Sequence, residues 1–297
     1  LVPLFRHMGG QRPDQPPAGP GPDPGGLDHP NPRSAPCCFP CDGQAEYPAP
    51  HHRQINSCHW PRPSSWSAQI KGISDMSVGE KASELNWRDG VVPVSKRFDD
   101  PYFSANDGLA ETRHVFLAGN DLPARFRSGF HIAELGFGTG LNLLATLLAA
   151  DPALPLRYTS FEAYPLLPDD IARALTHFPE AHAVAAPLLM QLATGQTRFS
   201  LAQIEVDLIL GDARETLPVW PGKADAWFLD GFSPAKNPEL WTRDLMHGVA
   251  RHTNPEGTFA TYTAAGHVRR ALTDAGFVVA RQAGHGTKRH MTTGRMP

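Results

Sequence analysis

His131-Ile-Ala-Glu-Leu-Gly-Phe-Gly-Thr-Gly-Leu-Asn142 is the stretch whose reading decides the fold. Ile132 to Leu135 is a short apolar run that reads as a buried strand, and glycines follow at 136, 138 and 140. An apolar helical run, Leu141-Asn-Leu-Leu-Ala-Thr-Leu-Leu-Ala-Ala150, begins at once. A strand, a glycine turn and a helix let backbone approach a nucleotide closely. The absent Cβ atoms leave room, and free N–H groups of the first helical turn face the ligand. The spacing is Glu-x-Gly-x-Gly-x-Gly, not the Gly-x-Gly-x-x-Gly of dinucleotide folds, which disfavours an NAD-dependent oxidoreductase. Glycine turns after strands also serve packing alone, so the stretch needs support from the rest of the chain.

Working outward, strands and helices alternate, as in a mainly parallel α/β sheet. Tyr158 to Glu162 reads as a second strand, Ile204 to Leu210 as a third, Ala226 to Asp230 as a fourth and Gly257 to Tyr262 as a fifth. Ile171 to His177 and Ala181 to Leu192 read as helices, and Val268, Ala271, Leu272 and Ala275 form one apolar helix face. Phe277 to Ala280 and Lys288 to Thr292 are expected to finish the sheet as an antiparallel hairpin. Glu134, Glu162, Asp212 and Asp230 then fall at or just past the C-terminal ends of successive strands. In an open α/β sheet those ends share the ligand-binding edge. One such acid means little; four in register are hard to ascribe to solvation.

The acid ending the first strand, with the three glycines, resembles motif I of the class I methyltransferases. That resemblance implies a Rossmann-like fold and S-adenosylmethionine as cofactor. A carboxylate after the second strand suits ribose hydroxyls, one after the third the adenine amine, and one after the fourth the reacting end. Glu162, Asp212 and Asp230 are placed accordingly, with Glu134, Gly136, Gly138, Gly140 and Asn142 as the remaining cofactor-binding residues.

Ala224-Asp-Ala-Trp-Phe-Leu-Asp-Gly-Phe-Ser-Pro-Ala-Lys-Asn-Pro-Glu-Leu-Trp241 is more specific. It sets an acid, an aromatic, a base and an amide in one loop, with Asn237 as a helix cap and Pro238 at the first helical position. This loop resembles that of the methyltransferase half of the bifunctional tRNA wobble-uridine modification enzymes, the DUF752 family. The similarity runs from about Asn86 to Met291. It takes in Phe98-Asp-Asp-Pro-Tyr-Phe-Ser104, Gly108-Leu-Ala-Glu-Thr-Arg113, Phe116 to Asn120, Thr263 to Arg270 and Gly284 to Arg289. His267 and His285 depart from the family, standing where aromatic residues are more usual.

The resemblance implies N-methylation of the 5-aminomethyl group of a wobble uridine, usually 2-thiolated, in tRNA. Asp230 would be the catalytic carboxylate, and Tyr102, Phe232, Lys236, Lys288 and Arg289 the substrate-binding residues. No flavin oxidase half follows, so the chain is expected to use an aminomethyl uridine made elsewhere, or to work with a separate FAD-dependent oxidase. Alternatives are a small-molecule amine methyltransferase or an aminopropyltransferase of the same fold, or a non-catalytic RNA-binding module.

The remainder bounds these readings. A net charge of -3 makes general electrostatic nucleic-acid binding no default. Basic pairs at Lys96-Arg97, Arg125 with Arg127, Arg269-Arg270 and Lys288-Arg289 would have to supply phosphate contacts. No apolar run is long enough for a membrane span, and no signal peptide is evident, so a cytoplasmic protein is expected. Half of the 30 prolines lie in residues 1–75, which read as a disordered Pro/Gly-rich extension, with Met76 a candidate true start. Cys38 and Cys41, near Cys58 and several histidines, form a lone Cys-x-x-Cys; disorder is favoured over zinc, and no metal site is expected. Residues 76–130 read as a lead-in or cap and 131–297 as the methyltransferase core.

Overall fold

A computed structural model of the chain describes residues 83–104 and 107–297. The proline-rich stretch, its cysteines and Met76 lie outside these residues.

The lead-in begins with a small antiparallel sheet of β1 (Leu85–Arg88), β2 (Val92–Ser95) and β3 (Asp100–Pro101). The helix expected to end near Asn120 is present as three segments. These are α1 (Gly108–Thr112), a π turn (Arg113–Leu117) and a 3-10 turn (Ala118–Asn120), closed by Asp121 in the left-handed region. Asn120 is fully buried: its amide nitrogen donates to the Phe116 and Trp227 carbonyls, and its oxygen accepts from Thr258 Oγ1 at 2.6 Å. That side chain fixes the lead-in to the sheet.

The main sheet has eight strands: β4 (Phe130–Leu135), β5 (Leu156–Glu162), β6 (Arg198–Leu201), β7 (Ile204–Leu210), β8 (Ala224–Leu229), β9 (Thr253–Thr261), β10 (Val278–Ala283) and β11 (His290–Arg295). Their order is β10-β11-β9-β8-β4-β5-β7-β6. β7, β5, β4, β8 and β9 are mutually parallel, and β10 and β11 form the expected antiparallel closing hairpin. β4 and β8 are buried along their whole length, as central strands covered on both faces should be. β6, whose four residues alternate exposed and buried, is an edge strand too short to be read from its pattern.

The helices are α2 (Leu141–Ala149), α3 (Pro168–Leu175), α4 (Pro179–Val184), α5 (Ala186–Ala193), α6 (Ala213–Thr216), α7 (Arg243–Arg251) and α8 (Gly266–Asp274). Two expectations fail. The single helix from Ala181 to Leu192 is broken at Ala185, because Pro187 has no N–H and its ring clashes with the preceding turn. After Asn237 a 3-10 helix (Pro238–Trp241) forms, but the Asn237 side chain makes no capping hydrogen bond. Its backbone N–H instead donates to the Ser233 carbonyl, closing a turn within the loop.

One hydrophobic cluster joins Val92, Leu109 and Phe116 of the lead-in to Ile132, Leu143 and Phe228. A second, on the other side of the sheet, gathers Leu135, Trp227, Phe259 and Leu272. Residues 83–130 therefore share a core with the sheet. The chain leaves β4 toward β5 on one side and reaches β8 on the other, which makes the end of β4 the topological switch point.

Candidate active site

The carboxyl ends of β5, β7 and β8 and the turn after β4 line a cavity of about 840 Å³. Gly136, Gly138, Asn142, Glu162, Asp212 and Asp230 line it, as do Tyr102, Phe232, Lys236 and Lys288. Among the expected site residues, Glu134, Gly140 and Arg289 do not. Glu134 lies inside β4 with its side chain fully buried, Gly140 opens α2 behind the wall, and Arg289 points to solvent.

Glycine is required at the turn for a reason beyond ligand access. Gly136 has φ +89°, and a Cβ there would lie 2.6 Å from the Asp230 carbonyl oxygen. At Gly138, φ +53°, it would lie 3.2 Å from Tyr102 Cδ1. The missing atoms let the turn pack directly on the Asp230 loop and on the lead-in.

Glu162 ends β5 beside this turn. Its Oε2 accepts the Gly138 N–H at 3.0 Å and its Oε1 the Tyr164 N–H at 2.7 Å. Burial raises its pKa, against the pull of these backbone donors. Each oxygen keeps further acceptor capacity.

Asp212 is differently placed. It caps α6 by accepting the Arg214 N–H at 2.8 Å, and the Arg214 guanidinium grips both its oxygens. That hydrogen bonding holds its carboxyl below the usual aspartate range.

Asn142, in the first turn of α2, is the hub of the site. Its amide nitrogen donates to Glu134 Oε1 and to Asp230 Oδ2, both at 2.8 Å, and its oxygen accepts from Thr112 Oγ1 at 3.0 Å. Glu134 Oε2 accepts from Ser160 Oγ at 2.7 Å. Burial pushes the Glu134 pKa up to about 8, against the pull of the Ser160 and Asn142 hydrogen bonds. Asp230 Oδ1 accepts the Gly231 N–H at 2.9 Å. Burial raises Asp230 to about 6; the Asn142 hydrogen bond and the Lys288 charge oppose the rise, and the Glu111 charge adds to it. Asp230 is therefore an anion near neutrality, close to the range in which it exchanges a proton.

The loop carrying Asp230 is tied down from several sides. The Phe232 ring stacks on Phe98 with centroids 4.8 Å apart and meets the Tyr102 ring edge-on at 5.0 Å. The Ser233 N–H donates to Asp100 Oδ2 at 2.8 Å, and Tyr262 Oη donates to the Gly231 carbonyl at 2.6 Å. Lys236 Nζ is held by the carbonyl and carboxylate of Asp99, at 2.7 and 2.6 Å. Lys288 Nζ lies 2.6 Å from Glu111 Oε1 and 4.2 Å from the centre of the Tyr262 ring.

Residues 178–297 match a family described as S-adenosyl-L-methionine-dependent methyltransferase. Over 232 residues the chain is 46% identical to the "tRNA 5-methylaminomethyl-2-thiouridine biosynthesis bifunctional protein MnmC" of Aeromonas hydrophila, covering 71% of this chain and 35% of that protein. Residues 178–297 are thus similar to an S-adenosyl-L-methionine-dependent methyltransferase family. The protein of the same name from Chromobacterium violaceum is 45% identical over 226 residues, covering 71% of this chain and 34% of that protein. The crystal structure of MNMC2 from Aquifex aeolicus superposes with a TM-score of 0.59 at 26% identity, covering 78% of this chain and 82% of that one. The chain spans about a third of the length of the curated relatives it matches.

Glu111, Tyr262, Phe98 and Asp100 also line the cavity and were not among the expected site residues. Tyr262 directly follows β9, so the rule that found the acids would have found it. Glu111 had a signal too, as a carboxylate on the buried face of a helix. Phe98 sits in a turn and Asp100 in the two-residue β3, both too short for a periodicity to orient them. Among the described residues, no three His, Cys, Asp or Glu side chains gather as metal ligands, and no helix is long and apolar enough to cross a membrane.

Proposed function

We propose that this methyltransferase N-methylates the 5-aminomethyl group of a wobble uridine, commonly 2-thiolated, in tRNA. The observation that carries the reading is Asp230, held by Asn142 on the wall of a cavity that also presents the glycine turn and Glu162. The names of the relatives supply the substrate class.

The residues present fit S-adenosyl-L-methionine. The cavity is within the usual range for a ligand of that size. Glu162 retains lone pairs for ribose hydroxyls, and Asp212 serves the adenine amine once half-exposed Arg214 turns to solvent. The carboxylates of Glu162 and Asp230 on the cavity wall suit a cationic ligand. When bound, this donor supplies an electrophilic methyl group.

The chain's own residues align the acceptor, exclude water and manage one proton. Asp230 Oδ2 is fixed by Asn142, so an amine N–H approaching it meets an acceptor that need not reorganise. With its raised pKa, Asp230 stabilises positive charge growing on nitrogen and can take the proton. Phe98, Tyr102 and Phe232 offer an aromatic surface for a pyrimidine ring.

Arg269, Arg270 and Arg281 line one small surface recess and are proposed to contact phosphate, together with Arg289. The relatives are named as bifunctional and share about a third of their length with this chain. An FAD-dependent oxidase is proposed to release the amine that is methylated here. The test compares methyl transfer to tRNA bearing or lacking the 5-aminomethyl group. Transfer to both would contradict the reading, and product formed only from the decarboxylated donor would indicate aminopropyl transfer instead.

A further inference from the structure

Lys288 does not sit as a phosphate-binding lysine should. Its ammonium points inward from the turn between β10 and β11, 2.6 Å from Glu111 Oε1 and 4.2 Å from the centre of the Tyr262 ring. The Glu111 side chain is only 11% exposed, while that of Lys288 is 42% exposed. A well-buried carboxylate and an aromatic face are thus covered by a cation that can retreat into water. A carboxylate beside a ring face is a complete recognition site for an ammonium group. Both residues line the same cavity as Asp230, and both charges act on Asp230.

We infer that Glu111 and the face of Tyr262 form the subsite for the aminomethyl ammonium of the acceptor nucleoside, and that Lys288 occupies this subsite as an internal stand-in until substrate displaces it. The inference rests on reading the cavity as an amine methylation site, and adds which residues select the amine. An acceptor arrives mostly as its cation, since alkylammonium groups titrate well above neutrality. Glu111 holds that cation next to Asp230, through which the proton lost before attack passes on to solvent, leaving Asp230 ionised again for the positive charge that grows as the N–C bond forms. A nucleoside without the amine cannot replace Lys288, because it leaves Glu111 buried without a counter-charge. Lys288 therefore acts as a competitor that only a cation outmatches, and it sets specificity for the aminomethyl form.

The test uses the full chain and two tRNA preparations, one bearing 5-aminomethyl wobble uridine and one with plain uridine there. Equilibrium binding is measured without the methyl donor, and methyl-transfer kinetics with it. Glu111→Gln is expected to raise KM for aminomethyl tRNA by about tenfold and to erase the binding preference over plain tRNA. Affinity for S-adenosylhomocysteine should stay within about twofold, showing an intact cofactor site. Lys288→Met is expected to lower KM severalfold by removing the competitor. A retained preference in Glu111→Gln overturns the inference, and so does a raised KM in Lys288→Met, the sign that loss of a phosphate contact would give. Should Glu111→Gln not fold, the sign of the Lys288→Met effect decides. A wild-type protein that discriminates the two tRNAs in binding yet methylates neither would contradict the functional reading, not the subsite.

Discussion

The Asn142 amide nitrogen donates to Asp230 Oδ2 at 2.8 Å, and the same nitrogen holds Glu134 Oε1 at 2.8 Å. A side chain from the first turn of α2 therefore couples the acid at the end of β8 to one inside β4. The glycine turn sets this geometry, because it delivers Asn142 to a fixed place two residues after Gly140.

Removing that amide should be costly in two separable ways. Asn142→Ala leaves the buried Glu134 Oε1 without its donor, which is expected to cost about 1–3 kcal/mol in urea denaturation. It also frees Asp230 to reorient, and kcat should fall by roughly 10- to 100-fold. A variant with wild-type kcat would show that Asp230 needs no positioning.

The acid limb of kcat/KM should report Asp230. Its pKa is raised to about 6, and the ionised form is the one that stabilises and accepts the proton. Activity is expected to fall as pH drops through about 6. The Asn142 hydrogen bond lowers this pKa, so the limb should move upward in Asn142→Ala. A limb that stays in place in that variant would assign it to another group.

Glu134 predicts a stability effect of definite sign. Its pKa is raised from the ordinary 4.5 to about 8, so folding favours its protonated form. The associated stability is fully present below about 4.5 and is lost as pH rises through about 8. Glu134→Gln supplies a neutral donor in the same place and should lack this loss. Chemical denaturation at acid, neutral and alkaline pH should show the variant gaining on wild type with rising pH; parallel curves would mean that Glu134 is not strained by its burial.

Gly136→Ala combines φ +89° with a Cβ 2.6 Å from the Asp230 carbonyl. Relieving that contact must displace the turn or the loop. A loss of about 1–3 kcal/mol in stability is expected, with at least about tenfold weaker S-adenosylhomocysteine binding by calorimetry. Unchanged affinity would separate the turn from the cofactor site.

The sequence discloses those parts of the molecule whose signal is periodic or punctuated. The buried β4 and β8, the glycines at 136 and 138, and the acids at or just past the ends of β5, β7 and β8 were legible because strand ends and turns fix where a residue points. The role of Glu134 was less so. It precedes the strand's last residue and faces inward, and only the positions of Asn142 and Ser160 reveal that it works through Asn142. The partners of Asp212 and Lys288 were hidden for a similar reason. Arg214 folds back two residues onto Asp212, and Glu111 meets Lys288 across a long separation in sequence. The Glu111–Lys288 pairing depends on tertiary packing, which local patterns do not encode, and the Arg214–Asp212 pairing on a side-chain rotamer that spacing alone does not fix.

The most direct measurement is nucleoside mass spectrometry of tRNA carrying 5-aminomethyl wobble uridine, after incubation with S-adenosyl-L-methionine and either the wild-type chain or Asp230→Ala. The account predicts one added methyl on the aminomethyl nitrogen with wild type, and a yield lower by about 10²- to 10⁴-fold with Asp230→Ala, while S-adenosylhomocysteine affinity falls far less. Wild type that binds S-adenosylhomocysteine but leaves the aminomethyl nitrogen unmethylated, or Asp230→Ala that methylates it at full rate, would contradict it.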